Sequence, residues 1–183
     1  MITELEVEEI ISRRFGDCLE PLSQISKDTA NNEILINDAG EFHNYDKIVQ
    51  AAYEYREEGK PKSPDMILFR KSTVVFVEFK NGTINSREKD KIKLKAVEGG
   101  NIVLHHIVSQ EKNDSSFLDI VGLKKSYVLV YNPGKNPFNE IHDRVYGQIA
   151  RFGLHIYEGT LFNKVKTISA GAFSQWLSRE EMD

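Results

Sequence analysis

The sequence predicts an α/β protein, with α+β as the neighbouring class, organised on one sheet. Three observations carry this. Two apolar runs, "VVFV" at 74–77 and "YVLV" at 127–130, are too continuous for strands wetted on one face. Segments with apolar groups at helical spacing lie before, between and after them. No repeat, low-complexity tract or long linker divides the 183 residues, so a single domain, 1–183, is expected.

The elements follow in order. Ile2 to about Phe15 is expected to be a helix, because Leu5, Val7, Ile10, Ile11 and Phe15 share a face and Thr3 with Glu6 makes a capping-box pair. "SQISKDTANN" reads as a polar turn, and Glu33 to Asp38 as a short strand. Tyr45, Ile48, Val49, Ala52 and Tyr53 predict a second helix ending at Gly59. "MILFR" and "STVVFVEFK" form a hairpin. The stripe from Ile92 to Val108 predicts a long helix over about Ser86–Gln110, which Gly99-Gly100 either bends or lets sit close to the sheet. "SYVLVYN" is a buried strand, and Glu140–Phe152 is a helix candidate. Two short strands are expected around Glu158-Gly159, then a last helix with Ser169 as its cap.

Composition narrows the function. The chain carries a net charge of −4, with 40% apolar and 28% charged residues, which argues against indiscriminate coating of DNA. One cysteine, Cys18, allows no internal disulfide and no zinc cluster. The acidic start lacks the features of a signal peptide, and no apolar run approaches the ~18 residues of a membrane span, so a cytoplasmic protein without a membrane partner is expected. There is no Gly-rich phosphate loop, which speaks against ATP use. Adjacent helical residues point about 100° apart, so His105 and His106 do not make a shared metal site.

The hairpin raises the chemical question. Strand side chains alternate, so Val74, Phe76, Glu78 and Lys80 share one face, and the charged pair ends an otherwise apolar strand. A two-residue loop at Lys71-Ser72 sets Asp65 directly opposite Glu78, and a four-residue loop gives the same register. Lys71-Ser72 lacks the glycine that favours a tight primed turn, so the longer loop is expected. Two opposed carboxylates repel, and burial adds a desolvation cost. A divalent cation with oxygen ligands, magnesium or manganese, would compensate. The plainer alternative is an ion pair of Lys80 with one acid while the other is solvated.

Pro64-Asp65, a hairpin, then Glu78-Phe79-Lys80 resembles the signature of the PD-(D/E)XK nuclease superfamily. The resemblance covers about Pro64 to Leu104 with "SYVLVYN" as the next strand. It implies a restriction-endonuclease-like core, a mixed sheet flanked by helices in α-β-β-β-α-β order, with Glu33–Ile36 as first strand. The first helix is then Ile2–Phe15, with Tyr45–Glu57 an insertion, or it is Tyr45–Glu57 itself. The resemblance further implies magnesium-dependent phosphodiester hydrolysis, with manganese as substitute. Asp65 and Glu78 would be metal ligands, the Phe79 carbonyl a third contact, and Lys80 the catalytic lysine. An added acid from the first helix would be Glu8, Glu9 or Glu54. DNA is the expected substrate ahead of RNA, and a homodimer is one expected state.

Charge distribution fits that reading. From Arg70 to Lys95 eight basic residues face three acids, a local +5. Lys91 and Lys95 lie four apart on one helical face and are candidate phosphate contacts. The competing reading is a catalytically silent domain of nuclease fold that binds nucleic acid or protein.

Overall fold

Thr3 starts the first helix by capping it. In the computed structural model, which describes residues 1–53, 60–137 and 150–179, its hydroxyl accepts from the Glu6 amide while the Glu6 carboxylate accepts from the Thr3 amide. This helix, α1 (Glu4–Arg14), buries Val7, Ile10 and Ile11. Strand β1 (Leu19–Pro21) and a single helical turn, α2 (Leu22–Ile25), follow. Lys27–Asp28 (β2) and Glu33–Ile34 (β3) then pair as a separate antiparallel ribbon. The strand expected over Glu33–Asp38 therefore shrinks to two residues and does not enter the main sheet. Its place is taken by β4 (Glu41–Asn44), an unpredicted strand of mixed polarity. Helix α3 (Tyr45–Ala52) begins at once, capped by the Asn44 side chain on the Lys47 amide. The expected continuation of α3 to Gly59 lies outside the described residues.

Strands β5 (Met66–Phe69) and β6 (Val74–Lys80) form the anticipated hairpin. Its turn corrects the loop expectation: Arg70 N–H donates to the Thr73 carbonyl at 3.0 Å, and Lys71 and Ser72 take φ of 45° and 52°. Positive φ at both central positions is what a two-residue primed turn requires, and here it is met without glycine. Next comes a continuous helical stretch: α4 (Ser86–Val97), a π-helical turn over Glu98–Val103, and α5 (Leu104–Ser109). Of the two alternatives offered by Gly99-Gly100, the close approach to the sheet occurs: a Cβ on Gly100 would lie 3.8 Å from Phe76 of β6. The helix widens to a π-turn, and it sits close to its neighbours. A Cβ on Gly100 would come within 2.7 Å of Phe162 Cζ, and one on Gly99 would run into Pro64.

Helix α6 (Phe117–Gly122) leads into β7 (Lys125–Tyr131). The helix expected at Glu140–Phe152 falls on residues outside the description up to 149, and Phe152 itself has φ of 60°, which is not helical. Of the two strands expected near Glu158-Gly159, the first is instead a short 3₁₀ turn, Leu154–Tyr157, and the second is β8 (Lys164–Ser169). Helix α7 (Ala170–Arg179) ends the described chain, with Ala172 N–H donating to Ser169 Oγ at 3.4 Å.

The sheet is mixed and six-stranded, in the order β1-β4-β5-β6-β7-β8, flanked by helices. Pairing is antiparallel as far as β6 and parallel from β6 through β8. A parallel neighbour needs a long crossover, and the α4–α6 segment supplies it between β6 and β7. The alternation read in β6 holds. Val74 and Phe76 pack in the core beneath α3 and α4, while Val75, Val77 and Phe79 pack in a second core with Phe173 of α7. Glu78 and Lys80 therefore point to the α4 side. Among the described residues no helix is long and apolar enough to cross a membrane.

Candidate active site

Met66 pairs with Val77 in the β5–β6 ladder, so Asp65, one residue before β5, stands across from Glu78. This is the register anticipated from sequence. Asp65 is held by backbone as well. Its Oδ2 accepts from the Phe79 amide at 2.6 Å, and its carbonyl accepts from the Tyr45 amide at 2.9 Å. The second bond extends the β4–β5 pairing and brings the first turn of α3 beside Asp65.

Lys95 of α4 sits between the two acids. Its Nζ lies 3.0 Å from Asp65 Oδ1 and 2.9 Å from Glu78 Oε2. Lys80 approaches from the other side, 3.2 Å from Glu78 Oε1 and 3.3 Å from Glu88 Oε2. The Glu78 side chain is fully buried, whereas those of Asp65, Lys80 and Lys95 are 18%, 20% and 19% exposed. Despite the approach of Lys80, Glu78 Oε1 accepts no hydrogen bond. Phe79 contributes its amide to Asp65 and packs its ring 5.6 Å from Phe173, in an edge contact.

Sequence reading missed two acids. Asp46, in the first turn of α3, accepts from the Ser63 hydroxyl and lines the same cavity of about 600 Å³ as Asp65, Glu78 and Lys80. An acid in a first helical turn is an ordinary signal of dipole compensation, so only the β4–β5 pairing marks Asp46 as part of the site. Glu88, also in the cavity, is the second; it ties Lys80 to Lys91, whose Nζ lies 2.6 Å from Glu88 Oε1. Lys91 is half exposed on α4, while Lys95 is turned into the carboxylates. Of the first-helix acids, Glu8 lines a different cavity with Arg70 and Lys71, at the turn end of the hairpin. Glu9 is exposed, and Glu54 lies outside the described residues.

The electrostatics follow from crowding. Burial, and then the Asp65 charge, push the Glu78 carboxyl up to about 7. Burial and Asp65 also raise Asp46. Burial opposes the charge on Lys80 and Lys95, but the carboxylates beside them, Glu78 foremost, outweigh it and hold both ammonium groups above their ordinary range. In contrast, a hydrogen bond from Lys91 lowers Glu88. Five carboxylates, Asp28, Asp46, Asp65, Glu78 and Glu88, thus line one cleft with three lysines, of which Lys80 and Lys95 face the acids. This excess of negative charge, the Glu78 oxygen that accepts no hydrogen bond, and an all-oxygen donor set fit a hard divalent cation. Among the described residues, however, no three or more His, Cys, Asp or Glu are grouped so as to hold a metal ion, and Lys95 occupies the space between Asp65 and Glu78.

Comparisons with protein-family models, curated proteins and solved structures find no significant match to this chain.

Proposed function

We propose that this chain is a metal-dependent phosphodiesterase of the PD-(D/E)XK kind, a nuclease acting on DNA. The observation that carries this reading is the meeting of Asp65 and Glu78, from facing positions of the hairpin, with Lys80 in one cleft. The element order supports it. Helix α1, then β4, β5 and β6, then α4 and β7 fit the α-β-β-β-α-β order of a restriction-endonuclease-like core once edge strand β1, α2 and the β2–β3 ribbon before β4, and α3 after it, are taken as insertions.

On this reading Asp65, Glu78 and the Phe79 carbonyl would hold magnesium, with manganese as substitute. The bound ion supplies Lewis acidity toward a phosphoryl oxygen and lowers the pKa of water. Lys80 orients the attacking water and stabilises the negative charge that builds on the phosphoryl group. Asp46 completes the acidic rim from α3, in the role first sought among Glu8, Glu9 and Glu54. Lys91 offers an exposed ammonium to a neighbouring phosphate, and Lys95 reaches one when it leaves the carboxylates.

A second reading has one observation in its favour. Lys95 already spans Asp65 and Glu78, as it would in a catalytically silent domain whose acids serve only an internal ion-pair cluster. A cleavage screen separates the two. Purified protein is incubated with single-stranded, duplex and branched DNA and RNA, with and without magnesium or manganese, beside Lys80→Ala prepared identically. Metal-dependent cutting that the variant lacks establishes the enzyme. Cutting by neither protein favours the silent domain, and equal cutting by both rejects the role given to Lys80.

A further inference from the structure

The ribbon of β2 and β3 belongs to neither core sheet nor crossover, yet its inner side lines the catalytic cleft. Lys27, Asp28 and Thr29 share that cavity with Asp65, Glu78 and Lys80. The ribbon is fixed at its base, where Ser26 Oγ accepts from the Ile36 amide at 3.1 Å and donates to the Ile36 carbonyl at 3.2 Å. Ile25 and Ile36 flank this point in the second core. Its tip is closed by Asp28, which accepts from the amides of Ala30 and Asn31.

Glu33 ties the ribbon across to the other wall. It accepts from Asn81 Nδ2 at 2.7 Å and from Lys135 Nζ at 2.5 Å. Asn81 follows Lys80 directly, is 8% exposed, and accepts from Asn132 Nδ2 at 2.7 Å through its own carbonyl oxygen. The latch thus joins the ribbon to the ends of β6 and β7, the two central strands. Lys135 and Glu33 are 38% and 48% exposed, so the firmer part of the latch is the buried Asn81, which bonds both Glu33 and Asn132.

Size and depth then act on the substrate. The cleft has a volume of about 600 Å³, and Glu78, which lines it, has no exposed surface. Pockets of roughly 300–1,000 Å³ hold small molecules. Duplex DNA is a rod with a persistence length of about 150 base pairs and a major groove alone about 12 Å wide. A rod of that stiffness has to bring a phosphate to Asp65 and Lys80 past the ribbon with little bending of its own. A single strand bends at every nucleotide and can feed a phosphate to them.

We propose that the latched ribbon makes the cleft selective for an unpaired nucleic-acid strand, such as a loop, overhang or frayed end, over intact duplex. The proposal rests on the cleft being the nucleic-acid site argued above. Its test separates binding from cutting. Lys80→Ala protein is titrated, by fluorescence anisotropy, onto a labelled DNA single strand and onto the same strand annealed to its complement. The single strand is expected to bind about tenfold tighter. Adding Glu33→Gln or Lys135→Ala, each checked by thermal unfolding, is expected to narrow that ratio to about two- to threefold. Equal or tighter binding of duplex by the latched protein overturns the proposal, as does an unchanged ratio in both folded latch variants. Strand-selective binding without metal-dependent cutting by the wild type upholds the proposal and rejects the phosphodiesterase reading. Cutting of duplex at the single-strand rate does the reverse.

Discussion

Lys95 holds its ammonium 2.9 Å from a Glu78 carboxylate that has no exposed surface. Removing one partner of a buried ion pair leaves the other uncompensated, which typically costs about 3–5 kcal/mol. Lys95→Met is therefore expected to lose about 3 kcal/mol at pH 8, read by urea denaturation, and less at pH 5, where Glu78 can take up a proton. Manganese should restore part of the loss at pH 8. A variant as stable as the parent at pH 8 would show that the cluster is solvated.

Wild-type stability should fall as pH rises through the acid-to-neutral range. Burial and Asp65 raise the folded-state Glu78 pKa to about 7 from an ordinary 4.5. Between those values the folded chain binds more protons than the unfolded one. The stabilisation from this group is present below pH 4.5 and is lost as pH rises through 7. Asp46 is shifted in the same direction. The urea midpoint measured in chelator should be higher at pH 5 than at pH 8, and Glu78→Gln should flatten the difference. A midpoint that rises with pH in both proteins would contradict this account.

Asp65→Ala should abolish manganese binding measured by calorimetry at pH 7.5, because it removes one of the two carboxylates proposed as ligands. It also frees the Phe79 amide from its 2.6 Å bond, so a stability loss of about 1–3 kcal/mol is expected alongside. Unchanged manganese affinity in the folded variant would refute the ligand assignment.

The two adjacent glycines should respond differently to alanine. At Gly100 the new methyl would meet the buried Phe162 ring at 2.7 Å, an overpacking cost of about 1–3 kcal/mol. At Gly99 it would strike Pro64 and the Ser63 backbone, next to Asp65. Gly99→Ala should therefore weaken manganese binding as well as lower Tm, whereas Gly100→Ala should lower Tm alone. Calorimetry on both variants checks the difference.

The hairpin turn predicts a gain. Ser72 holds φ of 52°, a left-handed conformation that costs a residue with a Cβ about 1–2 kcal/mol. Ser72→Gly should raise stability by about 1 kcal/mol, net of the added chain entropy of glycine, and chemical denaturation would detect it. A loss would mean that the turn opens in solution.

What could be read from the chain was local or periodic. The capping box of α1, the two faces of β6 and the opposition of Asp65 to Glu78 all follow from spacings of two to four residues or from one short turn. A period of two leaves few choices of register once both faces of a strand must be buried. The turn type itself was misread, because tertiary pairing outweighs the preference for glycine at Lys71-Ser72. The small strands β1 and β4 were invisible: their residues lack an apolar run and become strand by pairing with β5 and with each other. Asp46 entered the site for the same reason, carried there by β4.

The sequence by itself determined a mixed fold on one sheet, because apolar periodicity marks its central strands and helices, and the convergence of Asp65, Glu78 and Lys80, because that needs only the hairpin. Only the tertiary structure decided that Lys95 turns inward between the acids, that Asp46 joins them, and that Glu33 ties a ribbon across their cleft. Those relationships join residues 17 to 102 positions apart, where no local periodicity reaches and only packing of α4, α3 and the ribbon onto the sheet decides who meets whom.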